Sequence, residues 1–337
     1  MLGPEMSLPA ALRDAAHTNA AVRSAGVRNL APALLAALDR PGPAHVVDDD
    51  HADAVAVFRR LVAALDDGVV DVAGHAAIGL GTLGRPEVLE RAAIWVAIDR
   101  DDDDTRWLRQ AAIIATSYVG VAARDRDREL ANDVIERLRR AWKSPHDDVR
   151  FQVALARVEV DDPEAEVDLA RALGEPAPVD LHAQIIDALS RLPQVGEPTL
   201  VALVAVLADE EDAAGPVGMA AATVLAAHDR AQGVPRLVLA LGRRHERDAA
   251  LEAIASLGPQ ASAAQEPIDG LLRRWWGPPI TRIRAAYALC RIAPAGSELR
   301  RRADRVLRRS ALHPRRAVRE AVTDARRALD GQRRAPP

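Results

Sequence analysis

Apolar residues recur at helical spacing along most of the chain, mainly as Ala, Val and Leu. Near the C-terminus, one such stripe consists of Leu299, Ala303, Val306 and Leu307. Arginines occupy most positions between them, so this segment has one apolar face and one charged face. Such a stripe predicts a surface helix that buries its apolar face against a neighbour. The pattern therefore predicts an all-α chain built from short amphipathic helices.

Prolines mark the starts of these helices in two interleaved series. The first series, with steps of 32 to 37 residues, is Pro163, Pro198, Pro235 and Pro267. The second, with steps of 33 to 38 residues and one double step of 62, is Pro145, Pro178, Pro216, Pro278 and Pro314. Proline is favoured in the first helical turn and harmful further inside. Two series with one period predict two helices per repeat, which is the organisation of an α-solenoid.

The periodicity predicts a right-handed α-solenoid of about nine antiparallel helix pairs. The pairs are expected at residues 7–37, 52–84, 86–120, 126–159, 163–192, 197–228, 231–257, 264–292 and 297–329. Helices of ~10 to 15 residues are marginal alone in water, so each pair must bury its stripe against the next. We therefore expect one array over residues 1–330, followed by a disordered tail at 331–337.

Composition supports closely packed helices. The chain is 49% hydrophobic but only 3% aromatic, which suits helix pairs better than a β-sandwich. Its one cysteine, Cys290, excludes a disulfide within the chain and fits a reducing compartment. No apolar run approaches the ~18 residues of a membrane span. We therefore expect a cytoplasmic protein, and its single lysine among 45 basic residues indicates a bacterial genome rich in G and C.

The second helices of the predicted pairs share an opening in which an apolar residue and often an arginine precede small residues. The clearest examples are Asp147-Asp148-Val149-Arg150, Ile283-Arg284-Ala285-Ala286 and Val318-Arg319-Glu320-Ala321. Several of these helices end near Leu-Gly, as at Leu83-Gly84 and Leu257-Gly258. This pattern resembles the HEAT-repeat family over nearly the whole chain, with departures at Leu181-His182 and Val217-Gly218.

The resemblance implies a HEAT-like superhelix whose second helices line a concave face. It also implies that the arginines near the second-helix starts lie close to this inner surface. These candidate binding residues are Arg109, Arg150, Arg284 and Arg319. In this family such a surface binds proteins, and in some members, including DNA glycosylases, it binds DNA.

Charge is distributed unevenly, with an acidic array over residues 1–270 and a basic end at 271–330. From Leu271 onwards the chain has 18 arginines against 5 acidic residues. Such a polarity concerns partners rather than fold. Candidate residues for binding nucleic acid or an acidic protein are Arg273, Arg274, Trp275, Trp276, Arg305, Arg308 and Arg309. Alternatively, Trp275 fills the core between repeats, and the arginines neutralise the acidic part of the array.

Glycines and acidic clusters offer weaker candidates. Gly79-Leu80-Gly81-Thr82-Leu83-Gly84 matches the dinucleotide fingerprint, but it ends a helical pattern and no preceding strand is predicted, so a helix C-terminus is favoured. The clusters Asp48–Asp50 and Asp101–Asp104 lack the ligand spacing of a calcium loop. Asp103 or Asp104 is expected instead to cap the helix that begins near Thr105.

No His-Glu-x-x-His pair, Gly-x-Ser-x-Gly elbow or phosphate loop occurs. The sequence therefore predicts no enzyme, no cofactor and no metal. It favours a non-enzymatic protein–protein interaction scaffold that presents a concave solenoid surface. Two alternatives remain: nucleic-acid binding through the arginine-rich C-terminal repeats, and, because some HEAT-like proteins are lyases that attach or detach bilins, a bilin lyase.

Overall fold

A computed structural model shows an all-α solenoid, which confirms the predicted fold class. It describes residues 6–39, 47, 51–175, 179–192, 194–208, 215–273 and 278–334. Within these ranges the regular structure is helical, and no strand occurs. The chain divides into two compact units, residues 1–165 and 166–337.

Unit 1 contains four consecutive helix pairs. Its helices are α1 (Leu8–Asp14), α2 (Ala20–Ala37), α3 (Ala52–Ala64), α4 (Val70–Thr82), α5 (Leu89–Val96), α6 (Asp103–Ala123), α7 (Arg128–Trp142) and α8 (Asp147–Glu159). The two helices of each pair pack together, and the second helices α2, α4, α6 and α8 pack on one another in chain order. This sequential packing is the defining feature of a solenoid.

Unit 2 repeats the arrangement. Its helices are α9 (Ala165–Ala172, from the unit boundary), α10 (Val179–Ser190), α11 (Glu197–Ala208), α12 (Pro216–Ala227), α13 (Val234–Ala240), α14 (Arg247–Leu257), α15 (Gln265–Arg273), α16 (Pro279–Ile292), α17 (Glu298–Ser310) and α18 (Arg316–Arg334). The second helices α10, α12, α14, α16 and α18 pack in series. Helix α18 continues to Arg334, past the predicted end of the array at residue 330. The single array and the count of nine pairs stay predictions.

Prolines lie at helix starts as predicted. Pro216 opens α12, and Pro198 and Pro235 are second residues of α11 and α13. Pro178 lies outside the described residues. Pro32 is an exception, because it lies inside α2. Side-chain caps complete other starts: for example, the Asn19 side chain accepts hydrogen bonds from the first-turn amides of α2.

The glycine run 79–84 ends helix α4, as expected. Gly84 has φ +64°, the left-handed conformation that favours glycine after a helix. Gly81 lies against the backbone of Ala115, where an added Cβ would be 2.6 Å from the Ala115 Cα. This residue therefore permits close packing of α4 on α6. The run has a complete structural explanation within the helix pair.

The two cores are mainly aliphatic. Phe58 and Trp95 are among the buried residues of unit 1. The main core cluster of unit 2, from Met219 to Val322, consists of aliphatic residues, Met219 and Cys290 within the described ranges. Cys290 is 2% exposed. Among the described residues, no helix is long and apolar enough to cross a membrane.

Candidate binding cleft

A cleft of about 450 Å³ opens in unit 1 between helices α5 and α7. Both helices pack on α6, which forms the floor. Its apolar lining consists of Leu89, Ala92, Ala93, Val96, Ala97, Ile113, Leu138 and Ala141. A volume of this size is within the range of protein pockets that hold ligands.

Small side chains explain why the cleft stays open. Helix α5 has only eight residues, and it presents Ala92 and Ala93 to the cleft, with Ala97 just after its end. Helix α7 contributes Ala141 from the opposite side. None of these methyl groups is long enough to fill the space between two helices. The floor is also apolar, because the Thr116 hydroxyl donates to the Ala112 carbonyl oxygen at 2.7 Å.

One side of the rim is closed by an ion-pair bridge. Arg137 of α7 donates to Glu90 of α5 at 2.7 Å and to Asp133 at 2.8 Å. Burial by itself lowers the pKa of Arg137, but these two carboxylates outweigh it and the pKa is raised. Arg137 also donates to the Leu89 carbonyl oxygen at 3.3 Å. These contacts connect α5 to α7 across one side of the cleft.

The other side of the rim carries cations that face no carboxylate. Arg140 and Lys143 are exposed, and among the described residues neither forms an ion pair. Arg140 donates only to the backbone oxygen of Glu136, at 3.3 Å. The one carboxylate of the lining, Asp99, lies 3.6 Å from the His146 ring and is 96% exposed. Two side-chain cations are therefore available to a ligand.

A buried ion-pair network fixes the end of α7. Asp162 accepts hydrogen bonds from Arg139 and Arg157, each at 2.6 Å. The side chains of Arg157 and Asp162 are both fully buried, and the Arg157 guanidinium lies 6.0 Å from the centre of the Trp142 ring. Burial alone raises the pKa of Asp162, but the hydrogen bonds outweigh it and hold the pKa below its ordinary value. Arg139 is thus directed inward, whereas its neighbour Arg140 is exposed.

The structure corrects the prediction for Arg109. Its side chain is fully buried and donates to the carbonyl oxygens of Ile98 and Arg100, at 3.1 and 2.8 Å. These acceptors lie in the loop that precedes α6. Arg109 therefore ties this loop to the second helix and does not present a charge to a partner.

Other arginines at second-helix starts have similar internal contacts. Arg319 donates to the carbonyl oxygens of His313 and Pro314, at 2.9 and 2.8 Å. Arg284 pairs with Asp248 of the preceding second helix at 2.5 Å. Arg150 pairs with Asp147 within α8. Arg284 and Arg319 nevertheless remain exposed or half-exposed.

The C-terminal arginines mostly lie next to carboxylates. Arg273 pairs with Asp269 at 2.7 Å, Arg305 with Glu298 at 2.9 Å, and Arg308 with Asp304 at 3.4 Å. Arg309 is exposed, and no ion pair forms at it within the described ranges. Arg274, Trp275 and Trp276 lie outside the described residues. Three of the five predicted arginines at this end therefore pair with a carboxylate.

The acidic segment 101–104 forms helix-start contacts. The Asp102 carboxylate, rather than Asp103 or Asp104, accepts the Thr105 amide at 2.8 Å and caps α6. Asp102 precedes the helix in extended conformation, which is the geometry a cap requires. Within the described ranges no group of three or more His, Cys, Asp or Glu could hold a metal ion. Asp48–Asp50 lie outside the described residues.

Sequence reasoning missed the cleft. Its cations, Arg140 and Lys143, end an ordinary amphipathic helix, and its apolar lining reads as core. One available signal was the cluster of alanines in and just after α5, at positions 92, 93 and 97. Lys143, the only lysine of the chain, was a second signal.

Comparisons with known proteins identify the fold and no family. No protein-family model matches the chain, and no curated protein sequence matches it. Among solved structures, YibA of Escherichia coli is similar with a TM-score of 0.57 and 15% identity, over 85% of this chain and 92% of YibA. Kap121p bound to Nup53p is similar with a TM-score of 0.54 and 12% identity, over 94% of this chain and 36% of Kap121p. The chain thus spans about a third of Kap121p, and at these identities the likeness shows the α-solenoid fold alone.

Proposed function

We propose that this protein is a non-enzymatic scaffold of the HEAT type that binds a partner protein through the cleft of unit 1. The observation that carries the proposal is an open cleft with an apolar lining, whose two side helices are connected by the ion pair between Arg137 and Glu90. Apolar side chains of a partner would displace water from this lining, which is favourable. Because both α5 and α7 pack on α6 and the Arg137 ion pair connects them, we expect little ordering of the receptor on binding.

Two further observations support this function. The arginine near the second-helix start contacts the preceding loop at Arg109 and Arg319, which gives the HEAT-like sequence pattern a structural reason. Solved structures of the similar solenoid Kap121p contain bound Nup53p or Ste12p. Neither of these observations favours nucleic acid as the partner. Of the residues predicted to bind nucleic acid, Arg305 and Arg308 lie beside carboxylates.

The test is selection of peptides on the full chain. Random 12-residue peptides displayed on phage are panned against the purified protein, and enriched peptides are labelled and measured by fluorescence anisotropy. Ala93→Trp fills the cleft from an exposed position of α5, so the fold should tolerate it. Ala205→Trp, at an exposed position of first helix α11 in unit 2, is the matched control.

We expect Ala93→Trp to weaken binding of the enriched peptides at least tenfold, because the ring occupies the apolar lining. Ala205→Trp should leave their affinity within twofold of wild type. Circular dichroism of both variants verifies that helix content is unchanged. Failure to enrich any peptide, or equal affinity for wild type and Ala93→Trp, would overturn the proposal.

A further inference from the structure

We infer that the partner segment bound by the cleft is acidic, with carboxylates beside the apolar side chains that enter it. This inference rests on the proposed function and adds the chemistry of the partner. It depends on which charges around the cleft already have partners. Within the described residues, Lys143 and Arg140 have no carboxylate partner, whereas Arg137 has two.

The polar rim is asymmetric. At the Arg137 bridge, one guanidinium faces the two carboxylates of Glu90 and Asp133, so this side has no cation to offer. At the C-terminal end of α7, Arg140 and Lys143 face solvent. A peptide carboxylate therefore finds complementary charge at this end and like charge at the bridge. The asymmetry also orients the peptide, with its acidic flank towards Lys143.

The local backbone explains why these cations are found here. Arg139, Arg140 and Lys143 lie in and just after the last turn of α7, where helix carbonyls favour positive charge. From that position, the Arg139 side chain donates to the buried carboxylate of Asp162. Arg140 and Lys143 share the helix end but point to solvent beside the cleft. A carboxylate bound there would pair with two cations without breaking an existing ion pair.

Asp99 limits the positive charge of this end. It belongs to the cleft lining, and its contact is with His146 rather than with Lys143. Removing its charge should therefore strengthen binding of an acidic segment. The inference therefore predicts a gain of affinity when the Asp99 charge is removed and a loss of affinity when the rim cations are reversed.

Electrostatic complementarity at a rim contributes specificity and association rate more than affinity. The apolar lining should supply most of the binding energy, and the cations should select among apolar segments. Two properties follow: peptides enriched on the cleft should be rich in Asp and Glu, and their affinity should fall as salt rises. An apolar peptide flanked by lysines should bind more weakly.

The closing experiment uses the enriched peptides and twins in which every Asp and Glu is replaced by Lys. Affinities are measured for wild type, for the double variant Arg140→Glu/Lys143→Glu, and for Asp99→Asn. The matched control is Arg244→Glu/Arg315→Glu, which reverses two exposed cations of unit 2. A labelled single-stranded oligonucleotide is measured in parallel.

We expect Arg140→Glu/Lys143→Glu to lower the affinity for the acidic peptides at least tenfold. The same variant should bind the lysine-substituted twins more tightly than wild type does. Asp99→Asn should raise the affinity for the acidic peptides severalfold, and the control variant should leave this affinity unchanged. Enriched peptides without acidic residues, or affinities indifferent to Arg140→Glu/Lys143→Glu, would overturn the inference. If Ala93→Trp still abolished binding in that case, the proposed function would stand alone. Oligonucleotide binding lost in Arg140→Glu/Lys143→Glu but kept in Ala93→Trp would assign the rim to nucleic acid and overturn it too.

Discussion

The cations beside the cleft of unit 1 differ from those at the end of unit 2 in what they face. Arg305 and Arg308 of α17 each have a carboxylate of the same helix within 3.4 Å. Arg140 and Lys143 of unit 1 form no ion pair with a carboxylate in the part of the chain that the structure describes. The end of unit 2 thus combines paired arginines with exposed ones such as Arg309, whereas both rim cations of the cleft lack a carboxylate partner within the described residues. A count of arginines therefore does not locate a binding surface; their partners do.

The difference depends on which arginine each acid of the helix contacts. Helix α17 contains Glu298 and Asp304 at positions that put them beside arginines one or two turns away. Helix α7 has Asp133 and Glu136 in its middle and no acid in its last turn. The Glu136 carboxylate stands four residues before Arg140 but pairs with Arg139 at 3.1 Å, and Arg140 donates to the Glu136 backbone oxygen instead. Within the described residues, Arg140 and Lys143 are therefore left without a carboxylate partner. The cleft lies beside this end, and Ala92 and Ala93 of α5 and Ala97 just after it are among the residues of its opposite side.

The largest expected effect concerns the inward cations of unit 1. Asp162→Asn removes the carboxylate charge that Arg139 and Arg157 both contact in the interior. Breaking a buried ion pair costs about 3 to 5 kcal/mol. We expect a loss of this order in the free energy of unfolding, measured by urea denaturation, with faster hydrogen exchange in α7 and α8. Asp161→Asn, at the exposed neighbour that pairs with Arg124, should cost under about 1 kcal/mol.

The same residue predicts a pH dependence. Because the pKa of Asp162 is held below its ordinary value of 3.8, its ionised form stabilises the fold above that pH. This contribution is lost as pH falls below 3.8 and through the lower pKa of the folded state. Wild type should therefore lose stability over this interval more steeply than Asp162→Asn. The prediction would be contradicted if the two proteins lost stability equally steeply as the pH is lowered.

A smaller effect distinguishes glycines of the two units. Gly81→Ala places a Cβ 2.6 Å from the Ala115 Cα and should force α4 and α6 apart, at a cost of about 1 to 3 kcal/mol. Gly270→Ala, inside α15 of unit 2, meets no atom within 4 Å. It should stabilise the protein by about 0.4 to 1 kcal/mol, since alanine is the better helix former. Urea denaturation of both variants measures the contrast, and equal effects would refute the packing role of Gly81.

The sequence predicted the architecture because its signals are local. Proline positions and apolar stripes depend on one helix at a time, so Pro216 and Gly84 could be interpreted without knowing any neighbour. The site could not be predicted in this way. Whether an arginine such as Arg109 is buried or exposed depends on loops that precede it, and whether Arg140 has a partner depends on acids of other turns. An empty volume between α5 and α7 leaves no mark in a hydrophobic pattern.

The smallest expected effect tests the pairing at the end of unit 2. Hydrogen bonds from Arg305 and Arg301 hold the pKa of Glu298 below its ordinary value. Arg305→Gln should raise this pKa towards its ordinary value, as followed by carbon NMR of the labelled carboxyl group, while Arg309→Gln should leave it unchanged. The corresponding change at the cleft, Arg140→Gln, should shift no carboxyl pKa appreciably, because no acid of the described residues pairs with Arg140. A clear shift there would show that the rim cations are already neutralised, and the contrast between the two ends would fail.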